Sequence, residues 1–165
     1  MDEIFSIKVL FVCTGNICRS PMAEGTLRHI LKAHNLSHVV FVDSAGSQGY
    51  HVGDSPHPKA ISAIRSRGID ISQLRSRQLT QKDIGNFDWI VALDRANQRY
   101  AQSLVENSSP KKILLLMDFT ENWAEKDVPD PLLTNVRFDV VMEMIEDACY
   151  DLVYDLENEL RLTKI

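Results

Sequence analysis

Residues 7–24 read IKVLFVCTGNICRSPMAE, and this stretch decides the fold. The run 7–12 is nearly continuous in apolar residues, which predicts a strand covered on both faces. Gly15 and Asn16 then break the apolar pattern, and Pro21 stands at a typical first-turn position of a helix. A buried strand, a tight loop and a helix in this order predict the first crossover of a parallel sheet.

The rest of the chain continues the alternation of short apolar runs with longer stretches of helical period. We predict further strands over 39–42, 89–93 and 113–117. We predict helices from Pro21 to His34, over 58–67 with Gly68 as a stop, over 94–105 with Asp94 as N-cap, and from 138 to 160. The expected fold class is α/β, flavodoxin-like or Rossmann-like, with four parallel strands, helices on both faces and a phosphate loop after the first strand.

Composition and charge are typical of one globular domain over residues 1–165, with 44% apolar and 25% charged residues. The formal net charge of −5 argues against nucleic acid or anionic membranes as partners, because neither polyanion is attracted to its own sign. The start Met1-Asp2-Glu3 lacks the basic residues of a signal peptide. Three cysteines are too few for a disulfide scaffold, so we expect reduced thiols in a cytoplasmic protein.

The loop 13–20, CTGNICRS, has the composition of an anion site. Its backbone N–H groups can converge on an oxyanion, because Gly15 and Asn16 tolerate left-handed dihedral angles. Arg19 adds a planar fork that matches two oxygens of a phosphate. Cys13 lies at the base of this loop, where amides and a helix dipole favour a thiolate. The loop lacks the Gly-Lys-Ser/Thr of a nucleotide P-loop, so we predict a phosphate site with a cysteine thiolate at its base rather than a nucleotide site.

The sequence resembles the low-molecular-weight protein tyrosine phosphatase family. Residues 12–24 are similar to the family signature almost letter for letter. Shorter similarities follow at 43–46, 52–53, Pro56, Pro58, 77–80, 87–88, Asp94, Asn97 and 130–131. The resemblance therefore extends over almost the whole chain.

This resemblance implies hydrolysis of phosphotyrosine in proteins, and of small aryl phosphates, through a cysteinyl-phosphate and without a metal or cofactor. Cys13 would attack phosphorus, while Arg19 and the amides of the loop, including those of Thr14, Gly15, Ile17 and Cys18, would bind the phosphate oxygens. Ser20 would hydrogen-bond the thiolate. Asn16 would hold the loop in its strained shape, with support from Ser44.

The general acid implied by the resemblance is Asp130, which would protonate the leaving phenolate and later activate water. It lies between two prolines at the end of the irregular segment 118–131, and loops of that length are often functional. Asp118 and Asp127 are the competing carboxylates in the same segment.

The second and third cysteines have different interpretations. Cys18 is either a small packing residue or, as the resemblance implies, a redox partner that traps Cys13 as a reversible disulfide. Cys149 belongs to the apolar stripe of the last predicted helix and is expected in the core. The histidines at 29, 34, 38, 51 and 57 show no spacing typical of metal ligands or of a partner for the nucleophile.

The chain departs from the family at two places. Leu132 and Leu133 stand where two tyrosines commonly wall the cleft. Leu74 stands where many members have a histidine that supports the loop asparagine, so either Asn16 is loosened or Arg75 or Ser72 replaces that support.

Specificity depends on the walls of the cleft. Tyr50, Leu132 and Leu133 are expected to form the sides of a slot that suits a long aryl phosphate. Relatives that are arginine phosphatases carry threonine where this chain has Ile17, which favours tyrosine over the alternative of arginine phosphatase activity. Arsenate reductases of this fold use two further mid-chain cysteines, and this chain has none between 18 and 149.

The alternative outside the enzymes is a non-catalytic phosphate-binding module. Binding needs the arginine and the amides but neither a thiolate nor an acid. The joint presence of Cys13, Arg19, Ser20 and Asp130 therefore favours an enzyme.

Overall fold

The computed structural model describes residues 5–106 and 112–162 and contains a four-stranded parallel sheet. Its strands are β1 (Ile7–Cys13), β2 (Val40–Gly46), β3 (Trp89–Ala92) and β4 (Lys112–Leu115), in the order β2-β1-β3-β4. Because the chain leaves β1 toward one side of the sheet and later enters β3 on the other, the loop after β1 lies at the topological switch point. The predicted α/β class with four parallel strands is confirmed.

Five α-helices accompany the sheet in the described residues. They are α1 (Arg19–Ala33), α2 (Pro58–Arg65), α3 (Gln81–Asn86), α4 (Arg95–Ser103) and α5 (Phe138–Leu162). The N-cap predicted for α4 is confirmed, since the side chain of Asp94 accepts from the backbone N–H of Asn97 at 2.7 Å. The sequence pattern did not predict α3, a short helix that begins with a capping box between Thr80 and Asp83. Among the described residues no helix is long and apolar enough to cross a bilayer.

Two strand boundaries differ from the prediction by more than one residue. β2 continues to Gly46 rather than ending at 42, because Ser44 is buried with its hydroxyl group hydrogen-bonded and so needs no apolar side chain. Leu116 and Met117 were predicted as strand but begin a 3₁₀ turn (Leu116–Phe119). A short buried apolar run does not distinguish a strand from a helical turn. Residues 1–3, whose acidic composition argued against a signal peptide, lie outside the described residues.

The sheet separates two apolar clusters. Val9, Phe11 and Cys13 of β1 face the larger cluster, which includes the buried faces of α1 and α5. Leu10 and Val12 face the other way, toward the smaller cluster that includes residues of α3 and α4. This alternation places the Cys13 side chain on the side of the sheet where α1 begins. The predicted covering of both faces is confirmed.

Hydrogen bonds anchor the long segment after β4 to α5 and to the sheet. The indole N–H of Trp123 donates to Asp147 Oδ2 of α5 at 2.8 Å, and the backbone N–H of the buried Val128 donates to the Leu93 carbonyl at 2.9 Å. The second bond ties the segment to the carboxyl end of β3. The segment therefore returns to the same edge of the sheet as the loop after β1, which brings Asp130 near that loop.

Candidate active site

Asn16 holds the loop after β1 in its bent form. It has a left-handed backbone with φ of 57°, a conformation that costs free energy in any residue other than glycine. Its side chain compensates with three hydrogen bonds: Nδ2 donates to Ser20 Oγ at 2.8 Å and Ser44 Oγ at 3.0 Å, while Oδ1 accepts from the Arg77 backbone N–H at 3.0 Å. Residues from α1, β2 and the segment before α3 thus fix one loop side chain.

These contacts answer the question left by Leu74. Of the two alternatives, replacement of the histidine by Arg75 or Ser72 is not what the structure has, since the Arg75 guanidinium donates to the carbonyls of Ser72 and Leu74 instead. Leu74 packs against the larger apolar cluster. The support comes from Ser44 and from the backbone of Arg77, and a backbone N–H carries no signal in the sequence.

Cys13 and Ser20 face each other inside the loop. The Cys13 Sγ lies 3.0 Å from Ser20 Oγ. Because Ser20 Oγ already accepts from Asn16, its own hydrogen is available to donate to the sulfur. A hydroxyl donor at this distance stabilises a thiolate.

Arg19 is nearly fully buried, with 2% of its surface exposed, and its guanidinium is held on several sides. Nη1 donates to Asp94 Oδ2 at 2.7 Å and to the Val128 carbonyl at 2.9 Å, and Nη2 donates to Thr14 Oγ1 at 3.3 Å. Burial by itself would lower the pKa of Arg19, but the charge of Cys13, with Asp94 and Asp130, outweighs it and raises that pKa. Arg19 therefore remains a positioned cation.

Asp94 has a second role that the sequence pattern did not predict. Its Oδ1 caps α4, while its Oδ2 accepts from Arg19. The position of Asp94 directly after a buried strand could have indicated this contact. The carboxyl ends of parallel strands meet at one edge of the sheet, so residues that follow two such strands lie close together.

A cavity of about 190 Å³ opens above the loop. Its lining contains Cys13, Thr14, Gly15, Ile17, Cys18, Arg19, Tyr50, His51, Asp130, Leu132 and Leu133. The cavity thus joins the expected nucleophile, arginine, acid and cleft residues, whereas Asn16, Ser20 and Ser44 are not among its lining residues. His51 was missed, because a lone histidine has no distinguishing spacing. Its ring lies so close to Gly15 that a Cβ there would come within 3.0 Å of its Cδ2.

The three loop carboxylates have different surroundings. Asp130 Oδ2 lies 3.6 Å from Arg19 Nη2, and Oδ1 accepts from the Leu132 backbone N–H at 2.9 Å. Asp127 is paired with Arg95, whose hydrogen bonds lower the pKa of Asp127. Asp118 lies 3.1 Å from Lys126 Nζ. Of the three, Asp130 alone lines the cavity.

Cys18 and Cys149 are both buried thiols. Burial, with the nearby charges of Cys13 and Asp130, raises the pKa of Cys18 to about 12, so its thiol is protonated at neutral pH. Cys149 is fully buried within the larger cluster, which confirms its predicted place in the core. Burial raises the pKa of Cys149 as well.

The arrangement combines a buried thiol, the loop after β1, a fixed guanidinium and a carboxylate around one small cavity. Such a site can hold a phosphate, attack it with sulfur and protonate a leaving group. In the described residues no group of three or more His, Cys, Asp or Glu side chains is arranged to hold a metal ion.

Comparisons with known proteins agree with this geometry. The family model described as low molecular weight phosphotyrosine protein phosphatase matches residues 8–162. The low molecular weight protein-tyrosine-phosphatase YfkJ of Bacillus subtilis is 36% identical over 156 residues, 94% of this chain and 99% of that protein.

Solved structures of phosphatases superpose on this chain over most of its length. The crystal structure of the protein tyrosine phosphatase from Entamoeba histolytica superposes with a TM-score of 0.88 at 35% identity, covering 93% of this chain and 99% of that chain. The drosophila arginine phosphatase has a TM-score of 0.81 at 28% identity, covering 91% and 98%.

Proposed function

This chain belongs to the low molecular weight phosphotyrosine protein phosphatase family, and from that premise we propose that it hydrolyses phosphotyrosine in proteins, with small aryl phosphates as surrogate substrates. The observation that carries the proposal is the convergence of Cys13, Arg19 and Asp130 on one cavity, with Ser20 hydrogen-bonded beneath.

The first step is attack by the Cys13 thiolate on phosphorus. The S–P bond forms as the P–O bond to the phenol breaks, and Asp130 gives its proton to the leaving oxygen. Arg19 and the loop amides bind the equatorial phosphoryl oxygens, whose charge they stabilise in the transition state. The contacts of Arg19 with Asp94 and Val128 supply the rigidity that this role needs.

The second step is hydrolysis of the cysteinyl-phosphate. Asp130, now a carboxylate, takes a proton from the attacking water, and the O–P bond forms as the S–P bond breaks. The sulfur leaves as a thiolate that receives the Ser20 hydrogen bond. No step requires a redox change.

The walls of the cavity support an aryl substrate. Tyr50, Leu132 and Leu133 line the mouth above the loop, and Ile17 lines the cavity nearer to it. Apolar side chains at these places favour a flat ring over a charged guanidino group.

Turnover of para-nitrophenyl phosphate by the wild type and by Cys13→Ser tests the enzyme against a non-catalytic phosphate-binding module. We expect clear hydrolysis by the wild type and none above background by the variant, with phosphate binding retained. A wild type that binds phosphate without turnover would overturn the enzyme proposal.

A panel of phosphotyrosine, phosphoserine and phosphoarginine peptides tests specificity. We expect phosphotyrosine to be preferred. A higher kcat/KM for phosphoarginine would support the alternative of a protein arginine phosphatase, the activity named for the drosophila neighbour. Comparable rates on phosphoserine would contradict the slot proposed here.

The setting of this activity is also part of the proposal. We place one phosphatase domain over residues 1–165, acting in the cytoplasm on phosphoproteins, with neither nucleic acid nor membranes as partners. The net charge of −5 and the reduced state expected for three cysteines support this setting.

A further inference from the structure

A line of hydrogen bonds leads from the nucleophile to a buried carboxylate in α1. Beyond Ser20 and Asn16, already described, it continues to Ser44 and then to Glu24, whose Oε1 accepts from Ser44 Oγ at 2.7 Å. Glu24 is 1% exposed and takes part in none of the steps proposed above. A buried carboxylate at the end of such a line needs a physical reason.

The carboxylate gives the line a direction. An ionised Glu24 only accepts, so the Ser44 hydroxyl donates to it and has its lone pairs free for Asn16. The two hydrogens of Asn16 Nδ2 go to Ser44 and Ser20, which leaves the Ser20 hydrogen for the Cys13 sulfur. The ionised state of Glu24 thus orients each hydrogen along the line toward the thiolate.

Arg28, one turn later on α1, balances the charge of Glu24. Its Nη2 lies 2.7 Å from Glu24 Oε2, an oxygen that accepts no hydrogen bond among the described residues. The pKa of Glu24 is raised overall, because burial, with a smaller contribution from Asp43, outweighs the lowering by Arg28, Ser44 and Arg77. Without Arg28, the buried carboxylate would take up a proton at a higher pH.

The guanidinium of Arg28 is fixed from the surface side. About half of this side chain is exposed, and Nη2 also donates to the Val42 carbonyl of β2 at 2.7 Å. Arg28 lines an open groove of about 370 Å³ beside Phe5, Phe41 and Lys32. A residue on the outer surface is therefore connected to the site through Glu24.

We propose that Glu24 and Arg28 form a positioning pair, in which the cation keeps Glu24 ionised so that the hydrogen-bond line delivers the Ser20 hydrogen to Cys13. This inference rests on the proposed function, since it takes Cys13 as the nucleophile. A protonated Glu24 can donate to Ser44, and the line then loses its accepting end. Loss of Arg28 therefore weakens the thiolate on the acid side of the pH range.

The main test compares Arg28→Gln with Lys32→Gln, which removes the same charge from the same groove one turn further along α1. The readouts are the pH profile of kcat/KM on para-nitrophenyl phosphate and the rate at which iodoacetate alkylates Cys13. We expect Arg28→Gln to move the acid limb of both profiles to higher pH and to lower kcat/KM there by about tenfold, the effect of a lost hydrogen bond to a charged group. We expect Lys32→Gln to change kcat/KM and the alkylation rate by less than about twofold.

Glu24→Gln completes the test, because it removes the charge while keeping an oxygen that accepts from Ser44. In the Glu24→Gln background, adding Arg28→Gln should change kcat/KM by less than about twofold, whereas independent roles would give additive losses. Identical profiles for Arg28→Gln and Lys32→Gln, or additive losses in the double variant, would overturn the pairing.

The pairing can still be tested if Arg28→Gln does not fold or if the wild type has no activity. If Arg28→Gln does not fold, Glu24→Gln alone remains decisive, because removal of the titrating carboxyl group should move the acid limb to lower pH and an unmoved limb contradicts the proposal. If the wild type does not turn over substrate, the proposed function fails, while the alkylation profile still tests the pair.

Discussion

The floor and the mouth of the cavity are built in opposite ways. In the floor and directly beneath it, Arg19, Asn16 and Ser20 are each 2% exposed or less, and side chains from several elements hold them. At the mouth, Tyr50 is 76% exposed and Leu133 is 82% exposed. A floor determined by many contacts fixes the chemistry, whereas a mouth with few contacts can vary and set which substrate enters.

This comparison predicts large, substrate-independent effects for changes on the floor and small, substrate-dependent effects for changes at the mouth. Asp130 stands between the two, since it lines the cavity from a loop.

Asp130→Ala should lower kcat/KM by about 10²–10⁴-fold on phosphotyrosine, the range for general acid catalysis, because the phenolate then leaves without a proton. The loss should be smaller on para-nitrophenyl phosphate, whose leaving group needs less protonation. Steady-state kinetics on both substrates measure the difference. Asp127→Ala and Asp118→Ala are the matched controls. Unchanged activity in Asp130→Ala would mean that Asp127 or Asp118 is the general acid.

Arg19→Lys should lower kcat by about 10²–10³-fold, because an ammonium replaces a fork that is aligned by Asp94 and Val128. Arg95→Lys is the control, since Arg95 forms an exposed ion pair with Asp127. Steady-state kinetics and inhibition by inorganic phosphate should show a loss of activity and of phosphate binding in Arg19→Lys but not in Arg95→Lys. Equal activity of the two variants would show that the floor tolerates a point charge.

Asn16→Ala should lower kcat by about tenfold and the free energy of unfolding by about 1–3 kcal/mol, because it removes three hydrogen bonds and leaves a strained backbone. Asn35→Ala is a close control, since Asn35 has the same φ of 57° just after α1. It should lose stability but keep its kcat. Denaturant unfolding and kinetics on both variants separate loop geometry from general stability, and a similar fall in kcat for Asn35→Ala would contradict the distinction.

Leu133→Ala should lower kcat/KM on phosphotyrosine peptides by about threefold, because an exposed side chain covers only part of a bound ring. Inhibition by inorganic phosphate, which does not reach the mouth, should remain the same. Leu162→Ala, a similarly exposed leucine at the end of α5, serves as the control. A loss of phosphate binding in Leu133→Ala would mean that mouth and floor are coupled.

Much of the fold could be predicted from the sequence, since it depends on local patterns. The apolar runs located all four strands, and Asp94 marked the start of α4. The errors have physical causes. Leu116 and Met117 are apolar in a buried turn as they would be in a buried strand, and α3 is too short to show a helical period.

In the candidate site, too, local features could be predicted from the sequence and long-range contacts could not. Residues 13–20 are contiguous, so the sequence alone was enough to predict a loop that binds phosphate and that carries a cysteine and an arginine. The long-range partners of this loop carried no such signal. The contact of Arg19 with Asp94 joins residues 75 positions apart, and its contact with Val128 joins residues 109 positions apart.

The sequence by itself therefore determined the class of fold and the nature of the loop, because both follow from neighbouring residues under backbone and capping rules. Only the tertiary structure decided what supports Asn16 in the absence of the histidine, which loop carboxylate lies beside Arg19, and that Arg28 is joined to Glu24 and the sulfur. These choices depend on the packing of distant segments, where burial forces each polar group to find a partner.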